Sequence, residues 1–387
     1  MRLLTATHYF ESHRGGVELV AGRLAREFAV AGVEVTWMAG DPSPPPAPEP
    51  RLEIVPLRVW NLAERRLGIP FPIPGLSALA RIGRAVREAD AVLLHDSLYL
   101  TNVAAFLAAR WHGRPVAVVQ HIGEVPYRNP LLRGLMALAN AVVARPLLGR
   151  CDQVSFISGV TARYFASVRF RRPPALVFNG VDTDVFTPPR DTPAKTALRA
   201  RLGLPDSGRV ALFVGRFVEK KGLTYLHAAA KARPDITFAF AGWGPVDPRQ
   251  WKLPNVRVFE SLDHAALADL YRAADVLTLP SAGEGFPLVV QEALACGLAV
   301  VCGAETVEAD PAAAPYLTGL ALHPDDPAAT ATALCTAVDA ASPGASAERG
   351  RFAATRYAWK HAAARHLELL DAAMSSRPAP ALRAVLS

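Results

Sequence analysis

The chain has 387 residues, enough for two domains of ordinary size that each bury a core of their own. With 51% apolar and 20% charged residues it has the make-up of a globular protein, which excludes a largely disordered chain. A net charge of +7 points to anionic partners (phosphates, nucleic acid or acidic lipid) without choosing among them.

The opening residues, MRLLTATHYFESHRGG, hold no apolar stretch long enough for a signal peptide. Nowhere is there the run of about 18 apolar residues that a membrane span needs. Cys151, Cys296, Cys302 and Cys335 form no CxxC pair and no cluster with zinc spacing, so buried reduced thiols in a cytoplasmic protein are expected.

Short apolar runs alternate with helical patterns, which predicts parallel sheets built from βαβ units. The first strand, LLTAT (3–7), leads to a helical stretch over 16–32 in which Val17, Val20, Leu24 and Phe28 recur at helical spacing. Gly15 and Gly16 stand between them, where glycine lets a ligand approach the backbone and the helix N-terminus. EVTWMAG (34–40) and RLEIVPLRV (51–59) are further strands, and the proline-dense GDPSPPPAPEP (40–50) is a stiff surface connection or a recognition segment. Arg81, Arg84 and Arg87 share a helix face, and Arg169, Arg171 and Arg172 follow another helix; such surfaces suit anionic lipid or are simply solvated. Strands AVLLH (91–95), PVAVVQH (115–121), QVSFIS (153–158) and ALVFNG (175–180) complete the first series. His121, at the end of the second of these, either touches a reacting group or is structural.

The stretch at 187–209, rich in proline and charge, marks a domain boundary near 180–208. Just before it, Asp182 and Asp184 form a DxD pair, a pattern that binds a divalent metal in some proteins; in an interdomain loop no metal is expected. The second series of strands is VALFVGR (210–216), ITFAFAG (236–242), VRVFES (256–261), VLTLPS (276–281), LAVVCG (298–303) and GLALHP (319–324). Two open α/β sheets in tandem result, with a ligand expected where strand ends face a cleft between them.

Within the second series, VGRFVEKKG (214–222) offers Arg216, Lys220 and Lys221 in a glycine-bounded loop after a strand, a diphosphate clamp or a solvated basic turn. It is no Walker A loop, because no GK[ST] follows at the required spacing. GWGP (242–245) is a strand-end turn. In EGFPLVVQEALACG (284–297), Pro287 suits the first turn of a helix that ends at Gly297. Glu284 then precedes a helix N-terminus, where free N–H groups and the macrodipole attract phosphate. Glu292 lies eight residues on, about 12 Å at helical rise. Carboxylates at both ends with phosphate-binding amides between them suit a nucleotide sugar, with hydroxyls at each end. A capping glutamate plus a solvated one fits the same spacing. No GxSxG elbow or Cys/His pairing points to a covalent nucleophile, and sparse aromatic interleaving argues against nucleic acid.

Taken in order, RGGVE, QHIGE, FNGVDTDVF, VGRFVEKKG, ADVLTLPSAGEGFPLVVQEALACG and RYAWKHAA resemble the large retaining family of GT-B glycosyltransferases known as family four, over nearly the whole chain. The resemblance implies an α/β fold of two Rossmann-like domains facing a central cleft. The acceptor-side domain would be 1–180, completed by a C-terminal helix (363–378) crossing back to it; the donor-binding domain would be 181–362, with a tail at 379–387. By position, Glu284 would contact donor-sugar hydroxyls, the amides around Gly285, Phe286 and Leu288 would face the sugar and phosphate, and Glu292 would bind the ribose. Arg216 and Lys221 would hold the diphosphate, Gly16 would approach it from the first domain, and His121 would sit at the sugar's reacting side. The donor is then a nucleotide-diphosphate sugar, used as substrate with no cofactor and no metal. The acceptor is a hydroxyl on a glycan, a lipid-linked molecule or a small molecule, with an anionic membrane surface as a further partner and a cytoplasmic, peripheral location. Ala299 stands where the family often has proline, the glycine pair that usually follows is absent, and FESLD (259–263) lacks a glycine usual near the base. Two further readings of the architecture are a nucleotide-sugar epimerase or hydrolase and a non-catalytic scaffold at a membrane surface.

Overall fold

The apolar runs fold as strands buried on both faces. The computed structural model describes residues 1–13, 16–41, 44–61, 71–123, 130–282 and 286–375, side chains at 130–132 and 343 excepted. It divides into two units, residues 1–179 with the segment from Trp359 onward, and Gly180–Ala358.

The first unit begins with β1 (Arg2–Tyr9), β2 (Glu34–Gly40) and β3 (Leu52–Leu57), then an antiparallel ribbon of β4 (Val59–Trp60) and β5 (Ile73–Pro74). β6 (Ala91–His95), β7 (Val116–Gln120), β8 (Gln153–Phe156) and β9 (Ala175–Leu176) follow. The order is β3-β2-β1-β6-β7-β8-β9, every pair parallel. Successive residues enter opposite cores: Leu4, Val92, Leu94, Val116 and Val118 one, Leu3, Ala91, Leu93, Ala117 and Val119 the other. Helices cover both faces, so each strand is a continuous apolar run rather than an alternating one. Pro56, within β3, costs no ladder bond at a sheet edge.

The C-terminal helix, Trp359–Ser375, packs on the helix Gly16–Val30 and buries Ala362, Ala363 and Leu370 in that second core. It starts ahead of residue 363, the start that the resemblance implied.

The second unit holds β10 (Arg209–Val214), β11 (Ile236–Ala241), β12 (Val256–Phe259), β13 (Val276–Leu279), β14 (Ala299–Gly303) and β15 (Leu317–Leu320). Their order is β12-β11-β10-β13-β14-β15, again all parallel. Both sheets therefore show the doubly wound order in which strands first build outward on one side of the first strand and then on the other.

The proline-rich stretch at 187–209 contains a helix, Thr192–Arg201, and the extent of one strand needs correction. Asp191 caps that helix, its Oδ1 accepting the Ala194 N–H at 2.8 Å, and Pro193 sits in the first turn where its missing N–H costs nothing. The last strand is Leu317–Leu320, not GLALHP, with a turn already begun at its expected end. All four cysteines are buried and unbridged, and burial pushes the Cys302 thiol up to about 12. Among the described residues no helix is long and apolar enough to cross a membrane.

Candidate active site

In the second sheet the order reverses between β10 and β13, so the chain leaves these neighbours in opposite directions and their carboxyl ends leave room for a ligand. The loop after β10 carries Gly215, Arg216 and the tight turn Glu219–Lys221. It is fastened on both sides by backbone. Toward β11, Gly215 N–H donates to Ala241 O at 3.0 Å, Phe217 N–H to Trp243 O at 2.7 Å, and Val246 N–H to Phe217 O at 3.0 Å. Gly242 sits at φ +144, and a Cβ there would overlap the Gly215 carbonyl, so GWGP serves close backbone approach. Toward β13, Gly222 sits at φ +80, and a Cβ there would overlap the Pro280 carbonyl. Arg216 is exposed, its guanidinium 4.9 Å from the Trp243 ring centre in a cation–π contact that fixes where the charge stands. Lys221 closes the turn, half-buried.

Beyond β13 lies the helix Leu288–Ala295. Pro287 stands at its N-cap (φ −66, ψ 146) rather than in its first turn, and Gly297 at φ +73 follows its C-terminal end as the sequence predicts. Leu288 is its first residue, and Phe286, buried just before it, packs its ring 5.3 Å from that of Tyr357. Glu284 and Gly285 lie outside the described residues. Glu292 is little more than one turn into the helix, about 6 Å from its start at helical rise, so it is nearer the N-terminus than the sequence spacing suggested. Nor is it a solvated glutamate. One edge of the residue is accessible, but its carboxyl lies deep, and the buried Tyr271 hydroxyl donates to Oε2 at 2.8 Å. Burial pushes this carboxyl up to about 7 against the lowering effect of that hydrogen bond.

At the carboxyl ends of β6 and β7 in the first unit, a second polar group gathers. Asp96 adopts φ +69, a left-handed conformation uncommon outside glycine. Its Oδ1 accepts the His121 N–H at 2.9 Å, the Ile122 N–H at 3.0 Å and the Gln120 side-chain amide at 2.8 Å, which pins the turn after β7. His121 Nε2 lies 3.1 Å from His95 Nδ1. Burial pulls the His121 imidazole down to about 3 and that of His95 well below its ordinary value, so both are neutral at neutral pH. Nearby, His8 Nε2 meets Glu18 Oε1 at 3.0 Å, and the His8 ring stacks on Tyr99 at 3.7 Å. Gly16 opens its helix exposed, with nothing within 4 Å of where a Cβ would stand.

The structure therefore brings Arg216, Lys221, Phe286, Leu288 and Glu292 to the carboxyl end of one sheet, and His121 and Gly16 to that of the other. Asp182 accepts the Asp184 N–H at 3.3 Å in a local turn, and among the described residues no group of three His, Cys, Asp or Glu could hold a metal ion. Sequence reasoning missed Asp96 and His95, although a His-Asp pair ending a strand is the same signal that singled out His121. It also missed Trp243 and Tyr271, which have no signal of their own.

The family description "Glycosyltransferase Family 4" matches residues 14–185, and "Glycosyl transferases group 1" matches residues 208–340. The D-inositol 3-phosphate glycosyltransferase of Xylanimonas cellulosilytica is 31% identical over 320 residues, 74% of this chain and 73% of that one. The alpha-maltose-1-phosphate synthase of Mycolicibacterium smegmatis is 28% identical over 309 residues, 72% of this chain and 78% of that one. Among solved structures, sucrose-phosphate synthase from Thermosynechococcus elongatus superposes with a TM-score of 0.72 at 19% identity, over 97% of this chain and all of that one. Anabaena HepE in complex with UDP-glucose gives 0.68 at 17% identity, over 96% of this chain and all of that one. At such identities these two likenesses concern the fold.

Proposed function

This chain belongs to glycosyltransferase family 4, is a sugar transferase with the GT-B fold, and on that premise we propose that it moves a sugar from a nucleotide-diphosphate sugar to a hydroxyl acceptor with retention and without a metal ion. One observation carries the reading: the backbone locks of Gly222 and Gly242 hold the Arg216–Lys221 loop at the strand-order reversal, beside the loop that leads to the helix Leu288–Ala295. In this reading Arg216 and Lys221 neutralise the diphosphate, the task a divalent metal performs in other transferases. Preorganised cations aimed at developing charge supply roughly 2.7–4 kcal/mol each. The first free amides of the helix face the phosphate. Glu292 accepts the ribose hydroxyls, and Glu284 and the amides of Gly285, Phe286 and Leu288 hold the transferred sugar.

In the transfer, the acceptor oxygen bonds to the anomeric carbon on the face from which the phosphate departs. The carbon–phosphate-oxygen bond breaks, and the acceptor proton passes to the leaving phosphate. No side chain has to act as base. To the first unit we assign the acceptor, the neutral His121 for a hydrogen bond to the donor sugar, and Gly16 for approach to the diphosphate. UDP-glucose bound to HepE and the inositol 3-phosphate named for the relatives support a nucleotide sugar and a hydroxyl. A peripheral membrane contact for a lipid-linked acceptor is part of the reading. Its support is the exposed Trp60 and the exposed Leu76, which opens the arginine-bearing helix Leu76–Glu88.

The test is a thermal-shift panel of UDP, GDP and ADP and their sugars, followed by transfer assays. A nucleotide at 100 times its Kd stabilises the folded state by about 2.7 kcal/mol. Glu284→Ala and Arg216→Ala are expected to abolish transfer at unchanged fold. Full activity in either, or no shift with any nucleotide, rejects the assignment.

A further inference from the structure

Glu292 would be a poor hydrogen-bond acceptor if its carboxyl were free to rotate or held its proton. Tyr271, on the helix His264–Ala273, is wholly buried, and its hydroxyl reaches two acceptors: Glu292 Oε2 at 2.8 Å and the Val289 carbonyl at 3.3 Å. A phenol has one proton to give. The shorter contact to a carboxylate takes it while Glu292 is ionised. Once Glu292 is protonated, its O–H can donate to the tyrosine oxygen, and the phenol turns to Val289. The same atoms therefore hold two hydrogen-bond patterns, and only the ionised one leaves the carboxylate a pure acceptor.

We propose that Tyr271 is a positioning residue for nucleotide binding, holding Oε2 of Glu292 so that Oε1 is left to accept a ribose diol. This rests on the reading of Glu292 given above, which says nothing about Tyr271. Among the described residues no hydrogen bond engages Oε1, and one edge of Glu292 is accessible. Several charged groups on the neighbouring elements are engaged elsewhere, and Arg351 and His264 are exposed. Asp269 pairs with Arg201 and Arg272, Arg349 donates to the Gly297 carbonyl at 2.9 Å, and Glu348 takes the Tyr316 hydroxyl at 2.9 Å. The Arg356 guanidinium holds Asp310 at 2.6 Å, and burial keeps the thiols of Cys296 and Cys302 neutral. Among the described residues, Tyr271 is thus the one side chain whose hydrogen bond opposes the burial of this carboxyl.

Donated hydroxyls favour the carboxylate, so nucleotide affinity should rise with pH through Glu292's titration. Tyr271→Phe keeps the shape of the ring and removes only the donor. The carboxyl carbon of Glu292 is followed by carbon-13 NMR in the unliganded protein, and the affinities for UDP, GDP and ADP are measured from pH 5 to 9. In Tyr271→Phe both midpoints should move up by about one pH unit, with affinity about tenfold weaker at pH 5, about fivefold weaker at pH 7 and approaching wild type at the alkaline end. An unmoved NMR midpoint, or a loss of affinity uniform in pH, overturns the proposal and leaves Tyr271 a packing residue. A shifted NMR midpoint in a protein that binds no nucleotide at any pH overturns it too, and places the failure in the donor reading rather than in the Tyr271–Glu292 pair.

Discussion

His121 and Glu292 show how burial decides what a side chain contributes. Both sit at strand or helix positions that suit contact with a sugar nucleotide, yet burial drives their equilibria in opposite chemical senses. The imidazole is pulled down to about 3 and is uncharged throughout the working range, so it offers hydrogen bonds and no proton of its own near neutrality. The carboxyl of Glu292 is pushed up to about 7, as is that of Asp96, burial being the larger cause in each. An acidic limb in the pH dependence of transfer therefore belongs to carboxyls. Its sign follows: activity rises as pH climbs through about 7 and these groups ionise. His121→Asn is expected to lower kcat while leaving the midpoint of the kcat/KM profile where it is. A midpoint displaced by that substitution would assign the titration to the imidazole instead.

At the scale of elements, the helix Thr192–Arg201 shows how a segment that looks like a linker becomes part of a core. Its Lys195 and Arg199 reach Asp275 at 2.7 and 2.6 Å, the same carboxylate accepts the Val210 N–H at 2.8 Å, and Arg199 also donates to the Ala273 carbonyl at 2.9 Å. Burial raises the Asp275 carboxyl, but the Lys195 hydrogen bond and charge, with Val210 and Arg199, outweigh it and leave its pKa below the ordinary value. The stabilisation is accordingly complete above the unfolded carboxylate pKa and is lost as pH falls through the lower folded one. Asp275→Asn should cost about 1.5–3 kcal/mol near neutral pH. In urea titrations the gap from wild type should close in strong acid; a gap constant with pH would remove the electrostatic account. The strands were legible because both faces of each sheet are buried, which writes them as unbroken apolar runs. The helix at 192–201 carries start signals in Asp191 and Pro193, but the surrounding charge and proline hid it. What no local pattern carries is which buried partner a polar group meets, so Tyr271 against Glu292 and Asp96 against the His121 turn emerged only from the packing.

The whole chain is basic, yet its positive charge is not spread evenly over use. Arg199, Arg233 and Arg356 are committed to carboxylates, and Arg216 is drawn to Trp243. Of the helix face picked out by its arginines, Arg81 donates to the Pro56 carbonyl at 2.9 Å, while Arg84 and Arg87 stay exposed. The same helix buries Ala78, Ile82 and Val86 and leaves Leu76 and Leu79 on its outer side, with Leu76 86% exposed. The ribbon before it pairs Trp60 with Ile73, and both are exposed, Trp60 by 70%. Exposed apolar side chains on a helix that also carries exposed arginines, and on the ribbon before it, suit the boundary of an anionic bilayer, where each basic residue adds about 1 kcal/mol. Screening over about 10 Å at 0.1 M salt weakens that attraction and leaves the apolar part. The protein should therefore sediment with anionic vesicles at low salt and progressively less as salt rises. Insertion should shift the fluorescence of Trp60 to the blue, and Leu76→Asp should weaken binding at every salt concentration. Failure to sediment even at low salt, or binding indifferent to Leu76→Asp, would show that this face meets water alone and that the acceptor reaches the enzyme from solution.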